Sequence, residues 1–297
     1  MARLPIVSNT SWWNVGGRFA RQVAEGLFAV LFPSDCRICG TPLTNISRLP
    51  VCPECIQAMP PLSGGLCAVC GERLFTPYAV EGLAGACGLC QRAAPPFVRA
   101  VAYGSYEGGL RELIHLLKFG GVRPAAGILG RMLAEAISGL EAGLPEAVIV
   151  IPVPLFRAKL RQRGFNQAEL IVRAALKLNA DGRFAWLPGA LARTRETTSQ
   201  IGLTRNQRRE NLRGAFKVAR PEAIRGRDLL LVDDVLTTGA TVSECARVLH
   251  RAGASKVWVA TVARTLKASA RQVEIELDRE SVAQDEDDVS IPKAVGI

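Results

Sequence analysis

The sequence predicts an α/β protein, a parallel sheet flanked by helices and preceded by a small cysteine-rich module. Three observations predict it. Leu229, Leu230, Leu231 and Val232 form a continuous apolar run, suited to a strand buried on both faces. The run stops at two carboxylates, Asp233 and Asp234, followed by Thr237, Thr238, Gly239, Ala240 and Thr241 and then a helical pattern over 242–251. Upstream, eight of the nine cysteines fall into four Cys-x-x-Cys pairs, the spacing of metal-binding hooks.

The order strand, acidic pair, small-residue loop, helix N-terminus has a chemical meaning. In a parallel sheet, ligands bind beyond the carboxyl ends of the strands. Main-chain N–H groups and hydroxyls at a helix N-terminus suit an anion. Ionised carboxylates only accept hydrogen bonds, which suits vicinal sugar hydroxyls. Together these point to a ribose carrying a 5′-phosphate. Two adjacent aspartates alone would mean little, and it is the whole run in register that carries the reading. No G-x-x-x-x-G-K-[ST] stretch occurs, so a Walker-type phosphate loop is excluded.

At 297 residues the chain accommodates one sizeable α/β domain plus a smaller module. A hydrophobic share of 48% with 22% charged residues fits a folded globular protein. The 37 basic residues are mostly arginine, and the net charge of +10 points to phosphate-rich partners, a pyrophosphorylated substrate or nucleic acid. No run of 18 apolar residues occurs, which argues against a membrane span. The most apolar N-terminal piece, 26–32, follows Arg18, Arg21 and Glu25, unlike a secretory signal. Nine cysteines without such a signal predict a cytoplasmic location, where thiols stay reduced and hold metal.

Along the chain, Val15, Phe19, Val23, Leu27 and Leu31 recur every four positions, one side of an amphipathic helix packed on the protein's own core. This N-terminal region, 1–35, ends at Pro33 and Ser34. Cys36, Cys39, Cys52, Cys55, Cys67, Cys70, Cys87 and Cys90 then predict a double zinc ribbon over 36–95. Hooks separated by 12 and by 16 residues present four thiolates each, and with every ligand a cysteine the two zinc sites are closed and structural. Consecutive hooks pair in the simplest arrangement, although crossed pairing also satisfies the spacing. Gly40, Gly71 and Gly88 sit beside hook cysteines, where tight turns bring N–H groups toward sulfur. Few large apolar residues occur over 36–95, so the metal is expected to replace a core.

Pro95 and Pro96 mark the boundary to a domain over 96–268. It opens with a Val- and Tyr-rich strand over 98–106 and a turn at Glu107, Gly108 and Gly109. A helix follows with Leu110, Leu113, Ile114 and Leu117 inward, bearing His115 and Lys118 and broken at Phe119, Gly120 and Gly121. His115 reads as a core or hinge residue more than a catalyst. A further helix covers 124–140, and the first central strand, 147–151, stops at Pro152 and Pro154. Arg157, Lys159, Arg161 and Arg163 come next, four cations in seven residues that lead into a helix over 168–178. Placed after a strand's carboxyl end, they form a well for pyrophosphate.

A strand over 185–192 precedes the polar segment 193–213, where Arg193, Arg195, Arg205, Arg208, Arg209 and Arg213 oppose only Glu196 and Glu210. The segment reads as a mobile loop followed by a basic helix, the place for a lid that excludes water. A short strand over 214–218, the acidic-pair strand and its helix, and a last core strand over 257–262 complete the domain. Cys245 reads as packing. From Glu274 the chain turns acidic, and 269–297 is expected to be a disordered tail.

From about residue 28 to 266 the chain resembles the ComF family of competence-associated phosphoribosyltransferase proteins. The motifs that carry the resemblance are the Cys-x-x-Cys series, Leu113-Ile114-His115-Leu116-Leu117-Lys118-Phe119, Ile151-Pro152-Val153-Pro154, Arg161-Gln162-Arg163-Gly164-Phe165-Asn166-Gln167 and Val232-Asp233-Asp234-Val235-Leu236-Thr237-Thr238-Gly239. Gln200, Arg205, Arg208, Asn211 and Ala215-Phe216 add to them. The last motif looks like the phosphoribosyl pyrophosphate (PRPP) signature of type I phosphoribosyltransferases. The resemblance implies a double zinc ribbon ahead of that fold, and a link to DNA uptake. Asp233 and Asp234 would hold the ribose hydroxyls, and Thr237, Thr238, Gly239, Ala240 and Thr241 would wrap the 5′-phosphate of PRPP or a nucleotide bound with Mg²⁺. Arg157, Arg161 and Arg163 would meet the pyrophosphate, and Asp233, Asp234 and Arg195 are the catalytic candidates.

Two functions fit these residues. One is a phosphoribosyltransferase whose acceptor the sequence does not name. The other is an adaptor that handles single-stranded DNA, contacts the DNA-uptake machinery and keeps the phosphoribosyl pocket as a sensor or scaffold. An aromatic share of 6% argues against an extensive base-stacking platform.

Overall fold

A computed structural model describes residues 34–43, 47–74, 85–179, 182–196 and 205–267. The predicted helix over 15–31, the polar residues Thr197, Thr198, Ser199 and Gln200, and the acidic tail lie outside the described residues, as do the side chains of Arg205, Arg208 and Arg209.

Seven strands occur among the described residues: β1 (Ala100–Ser105), β2 (Val148–Pro152), β3 (Phe184–Trp186), β4 (Leu191–Arg193), β5 (Phe216–Val218), β6 (Leu229–Leu236) and β7 (Val257–Arg264). Five of them form one parallel sheet in the order β1-β7-β6-β2-β3, while β4 and β5 pair antiparallel apart from it. All eight residues of β7 are buried, Thr261 and Arg264 included. Such continuous burial requires near-continuous apolar sequence, because helices cover both faces of a parallel sheet.

Among the described residues the α-helices are α1 (Pro53–Gln57), α2 (Gly88–Arg92), α3 (Gly108–Lys118), α4 (Ala125–Ser138), α5 (Arg157–Arg163), α6 (Gln167–Leu176), α7 (Arg205–Leu212), α8 (Pro221–Ile224) and α9 (Ala240–Arg251). Alternation along the strands divides the core in two. Leu230, Val232, Trp258, Ala260 and Val262 face α3, α4 and α6, against Leu113, Leu117, Leu129, Leu133 and Ile171. Leu229, Leu231, Val257 and Val259 face α9, against Val242, Cys245 and Leu249, with Leu212, Phe216 and Ile224 alongside.

The cysteine-rich module is not a separate unit. Leu49, Val51 and Met59 of the first ribbon join the α3–α4 core cluster, so this ribbon has an apolar core that it shares with the sheet, where the sequence led us to expect metal in place of one. Val69 and Cys70 of the second ribbon pack on the α9 side with Phe97. The joining chain and the second ribbon cover the outer edge of β1: Leu62 N–H donates to Tyr103 O (2.6 Å) and Ala100 N–H to Val69 O (2.7 Å). An exposed strand edge invites pairing with another chain, and this covering removes it.

Three elements differ from the sequence expectation. The strand expected over 185–192 is two strands, β3 and β4, separated by Pro188 and by Gly189 at φ +72°. Pro188 cannot donate to a ladder, and Gly189 turns the chain out of the sheet. The basic stretch is helix α5, closed by Gly164 in the left-handed conformation, whose N–H bonds Leu160 O at 2.8 Å. Finally, β6 runs four residues past Val232, because β7 pairs with it as far as Leu236↔Arg264. The two carboxylates are therefore within the strand.

Helices α4 and α6 meet through Gly130, where a Cβ atom would lie 2.4 Å from the Cβ of Ala174. Gly130→Val is expected to destabilise the fold by about 1–3 kcal/mol, a typical cost of overpacking. Gly127, with nothing within 4 Å of an added Cβ, serves as the control. Urea midpoints should fall for Gly130→Val and stay level or rise for Gly127→Ala.

Candidate functional site

The site lies at the carboxyl ends of β6 and β2. Because strand side chains alternate, Asp234 falls on the α3 side of the sheet and Asp233 on the α9 side. Asp234 is buried and meets Lys118, the last residue of α3, at 2.5 Å between Oδ2 and Nζ. Burial alone would lower the Lys118 pKa, but the Asp234 carboxylate, with help from Asp233, raises it, so the ammonium stays charged. Asp233 is half-buried in residue terms, yet burial and the neighbouring Asp234 charge push its carboxyl well above the usual range. Each carboxylate also accepts a main-chain hydrogen bond at 2.9 Å: Asp234 N–H to Asp233 Oδ1 and Val235 N–H to Asp234 Oδ1.

The following loop is shaped for an anion. Gly239 adopts φ +76°, a conformation that favours glycine, and caps α9. Thr238 Oγ1 accepts from Ala240 N–H at 3.4 Å, Thr237 is exposed, and the N-terminus of α9 opens directly onto this loop. Such a terminus carries a partial positive charge.

The cations separate into two groups. Arg163 is half-buried, and its Nη1 donates to Gln167 Oε1 at 2.5 Å. Burial lowers its pKa while the Asp234 charge opposes that shift, and a guanidinium remains protonated throughout. Arg157 and Arg161, with Lys159, are exposed on α5. Arg193 leaves the expected lid segment for β4, where its guanidinium lies 5.5 Å from the Phe216 ring centroid. Burial lowers its pKa, and Cys245 and Asp233 oppose the shift. Cys245 is fully buried beneath this corner, its thiol pushed well up by burial and by Asp233. Arg195 is exposed and donates to Asn211 O (3.0 Å) and Arg213 O (2.9 Å), tying the exit of β4 to the end of α7.

Lys118 had no role assigned from the sequence. The signal was present: it follows the fully buried Ile114 by four residues, on the helix stripe that faces the sheet. A lysine on such a stripe needs an anionic partner. His115 Nε2 lies 2.9 Å from the Tyr106 hydroxyl, at the outer end of the same helix.

The cysteines gather as Cys36, Cys39, Cys52 and Cys55, and as Cys67, Cys70, Cys87 and Cys90, each set with its sulfurs within 4.8 Å of one another. Consecutive hooks pair, and the crossed arrangement is excluded. Sulfur separations of 3.8 Å (Cys36–Cys55) and 3.7 Å (Cys39–Cys52, Cys70–Cys87) match the edge of a tetrahedron built on Zn–S bonds of about 2.3 Å. In each set the first thiol is prepared as thiolate. Burial raises the Cys36 and Cys67 pKa values, but main-chain N–H groups outweigh it and bring them to about 6 and about 7. Around the second set, buried Arg264 from the end of β7 donates to Cys70 Sγ (3.7 Å) and pairs with Glu72 (3.2 Å). A cleft of about 460 Å³ separates this ribbon from the acidic-pair loop, with Phe97, Thr237, Thr238 and Arg264 among its walls.

Comparison with known proteins matches residues 27–95 to a double zinc ribbon domain and residues 187–296 to a phosphoribosyl transferase domain. The chain is 36% identical over 240 residues to DNA utilization protein YhgH of Escherichia coli O157:H7, covering 79% of this chain and 98% of that protein. Competence protein F of Haemophilus influenzae is 31% identical over 225 residues, with 72% and 96% covered. Competence protein ComFC of Bacillus subtilis is 24% identical over 207 residues, with 68% and 79% covered.

Metal analysis of the purified protein is expected to find two zinc ions per chain, and Cys36→Ser with Cys39→Ser to leave one; iron–sulfur absorbance would contradict this assignment. A pH dependence follows from Asp233. Its raised pKa means the folded protein holds a proton that the unfolded chain releases at about pH 4. That contribution to stability is full below the ordinary carboxylate range and is lost as pH rises through the raised value. Asp233→Asn is expected to flatten this decline in urea unfolding midpoints, and parallel profiles for the two proteins would refute it.

Proposed function

We propose, for a chain that belongs to the double-zinc-ribbon phosphoribosyltransferase family of DNA utilization protein YhgH and competence protein F, that the strand-end site binds PRPP or a nucleoside 5′-phosphate together with Mg²⁺. The observation that carries the proposal is the unbroken path from Asp233 and Asp234 in β6 to a left-handed glycine and the N-terminus of α9. Asp233 and Asp234 accept from the ribose hydroxyls, and the loop from Thr237 to Thr241 takes the 5′-phosphate on main-chain N–H groups. A carboxylate pair beside a phosphorylated ligand is the oxygen donor set that Mg²⁺ takes, and the ion supplies charge neutralisation on the phosphates.

In the transferase form of this proposal, an acceptor nucleophile forms a bond to ribose C1 as the C1–O bond to pyrophosphate breaks. Arg163, half-buried beside the carboxylates, is the cation best placed to meet the departing charge. Exposed Arg157 and Arg161 would act farther out, and Arg195 would contribute by holding the end of α7. We place the protein in the cytoplasm, where eight metal-binding thiols stay reduced. Among the described residues no helix is long and apolar enough to cross a membrane.

One observation favours the adaptor reading. Arg157, Lys159 and Arg161 are exposed on the surface of α5, apart from the half-buried Arg163, and offer cations to a longer polyanion. Single-stranded DNA would then bind without sequence preference, with a log–log salt slope of about −0.7 per phosphate neutralised.

Calorimetry with Mg²⁺ and PRPP is expected to give saturable binding that Asp233→Asn combined with Asp234→Asn abolishes. Each change removes a charged acceptor, and such hydrogen bonds contribute about 1.5–3 kcal/mol. Unchanged affinity would place the pocket elsewhere. Release of pyrophosphate from PRPP in the presence of candidate acceptors distinguishes transferase from adaptor. In the adaptor case Arg157→Ala with Arg161→Ala should lower the magnitude of the DNA salt slope by about 1.4, twice the single-phosphate value.

A further inference from the structure

Phe119 stands one residue beyond Lys118 and exposes 74% of its surface, more than any other large apolar side chain among the described residues. A single exposed apolar residue ordinarily means little. Phe119 differs because its ring is held on two sides. The His115 ring meets it edge-on, 5.3 Å between centroids at 86°, and His115 is fixed in turn by the Tyr106 hydroxyl. The Arg163 guanidinium lies 5.6 Å from the Phe119 centroid, steadied by Gln167.

The backbone is shaped to present this ring. Phe119 and Gly120 N–H both donate to His115 O, at 2.8 and 3.3 Å. A Cβ on Gly120 would lie 2.9 Å from Leu116 O, and Gly121 adopts φ +65°. Only glycine suits both positions without strain. The result is a rigid aromatic face beside an arginine, adjoining the lysine that reaches Asp234. Aromatic faces with nearby guanidinium groups are where proteins stack nucleobases.

We propose that the Phe119 ring is the stacking surface for the planar base of a nucleotide whose sugar and phosphate occupy the strand-end site. The inference rests on the sugar-phosphate reading of Asp233, Asp234 and the α9 loop. An aromatic share of 6% supplies no extended platform, and one ring suffices for one base. That base belongs either to a free nucleotide or to a single strand.

The test uses the full-length zinc-loaded chain and its Phe119→Ala and Phe119→Trp variants. Ligands are ribose 5-phosphate, adenosine 5′-monophosphate, a thymidine oligonucleotide and its abasic counterpart. For a free nucleotide, Phe119→Ala is expected to weaken the monophosphate about tenfold and ribose 5-phosphate less than about twofold, with Phe119→Trp restoring affinity. For a strand, Phe119→Ala weakens the intact oligonucleotide by a similar factor and spares the abasic one. Equal losses for base-bearing and base-free ligands, or no loss for either base-bearing ligand, would overturn the inference. Failure of ribose 5-phosphate to bind the unmodified chain would instead remove the sugar-phosphate reading, and the intact and abasic strands would still judge Phe119.

Discussion

Two carboxylates in succession on a strand buried on both faces cannot stand without compensation. Removing an ionised carboxylate from water is costly unless a cation or hydrogen bonds meet it. The surroundings of β6 meet this requirement from both sides of the sheet. Lys118 reaches Asp234 from α3, and Asp233 rises in pKa on the α9 side beside Arg193 and Cys245. Breaking such a buried pair by removing one partner generally costs about 3–5 kcal/mol. The exposed Arg173–Glu169 pair, by comparison, belongs to a class worth about 0–1 kcal/mol. The acidic pair is thus met by the residue on which α3 ends.

The zinc ribbons answer a different constraint, the edge of the sheet. β1 is the outermost strand beside β7, and its outer side would be open without a cover. The two ribbons lie on opposite faces of the sheet; the chain joining them supplies the hydrogen bond from Leu62, and Val69 of the second ribbon accepts the one from Ala100. Cysteine hooks give a short, core-poor segment enough rigidity to serve as that cover. Arg264 extends the arrangement, since one buried side chain contacts both Cys70 and Glu72 from the last residue of β7. The second ribbon is thereby fixed beside the loop that follows β6.

Positive charge is distributed by depth. Arg163 and Arg193 are half-buried at the carboxylates, Arg264 is buried at the second ribbon, and Arg157, Lys159 and Arg161 are exposed on α5. Depth decides what each can do. A half-buried guanidinium acts on one bound group at short range, whereas exposed cations act through a screened field on an extended polyanion. A chain with a net charge of +10 holds both kinds.

By itself the sequence determined the parallel α/β domain and the eight cysteines of the double zinc ribbon, and it marked Asp233, Asp234 and the loop to Thr241 as the candidate site. Each of these is a short-range pattern: a continuous apolar run, a fixed hook spacing, a strand followed by a helix N-terminus. Tertiary structure alone decided which hooks pair, that the first ribbon shares its core through Leu49, Val51 and Met59, and that Arg195 serves the end of α7. It also decided that β6 continues past its carboxylates, because pairing extends as far as a neighbouring strand provides partners, and β7 does so to Arg264. That extra length sends Asp233 and Asp234 to opposite faces and brings Lys118 to one of them. Side-chain periodicity is written along the chain, but the partner of a buried charge is fixed only when distant elements pack together.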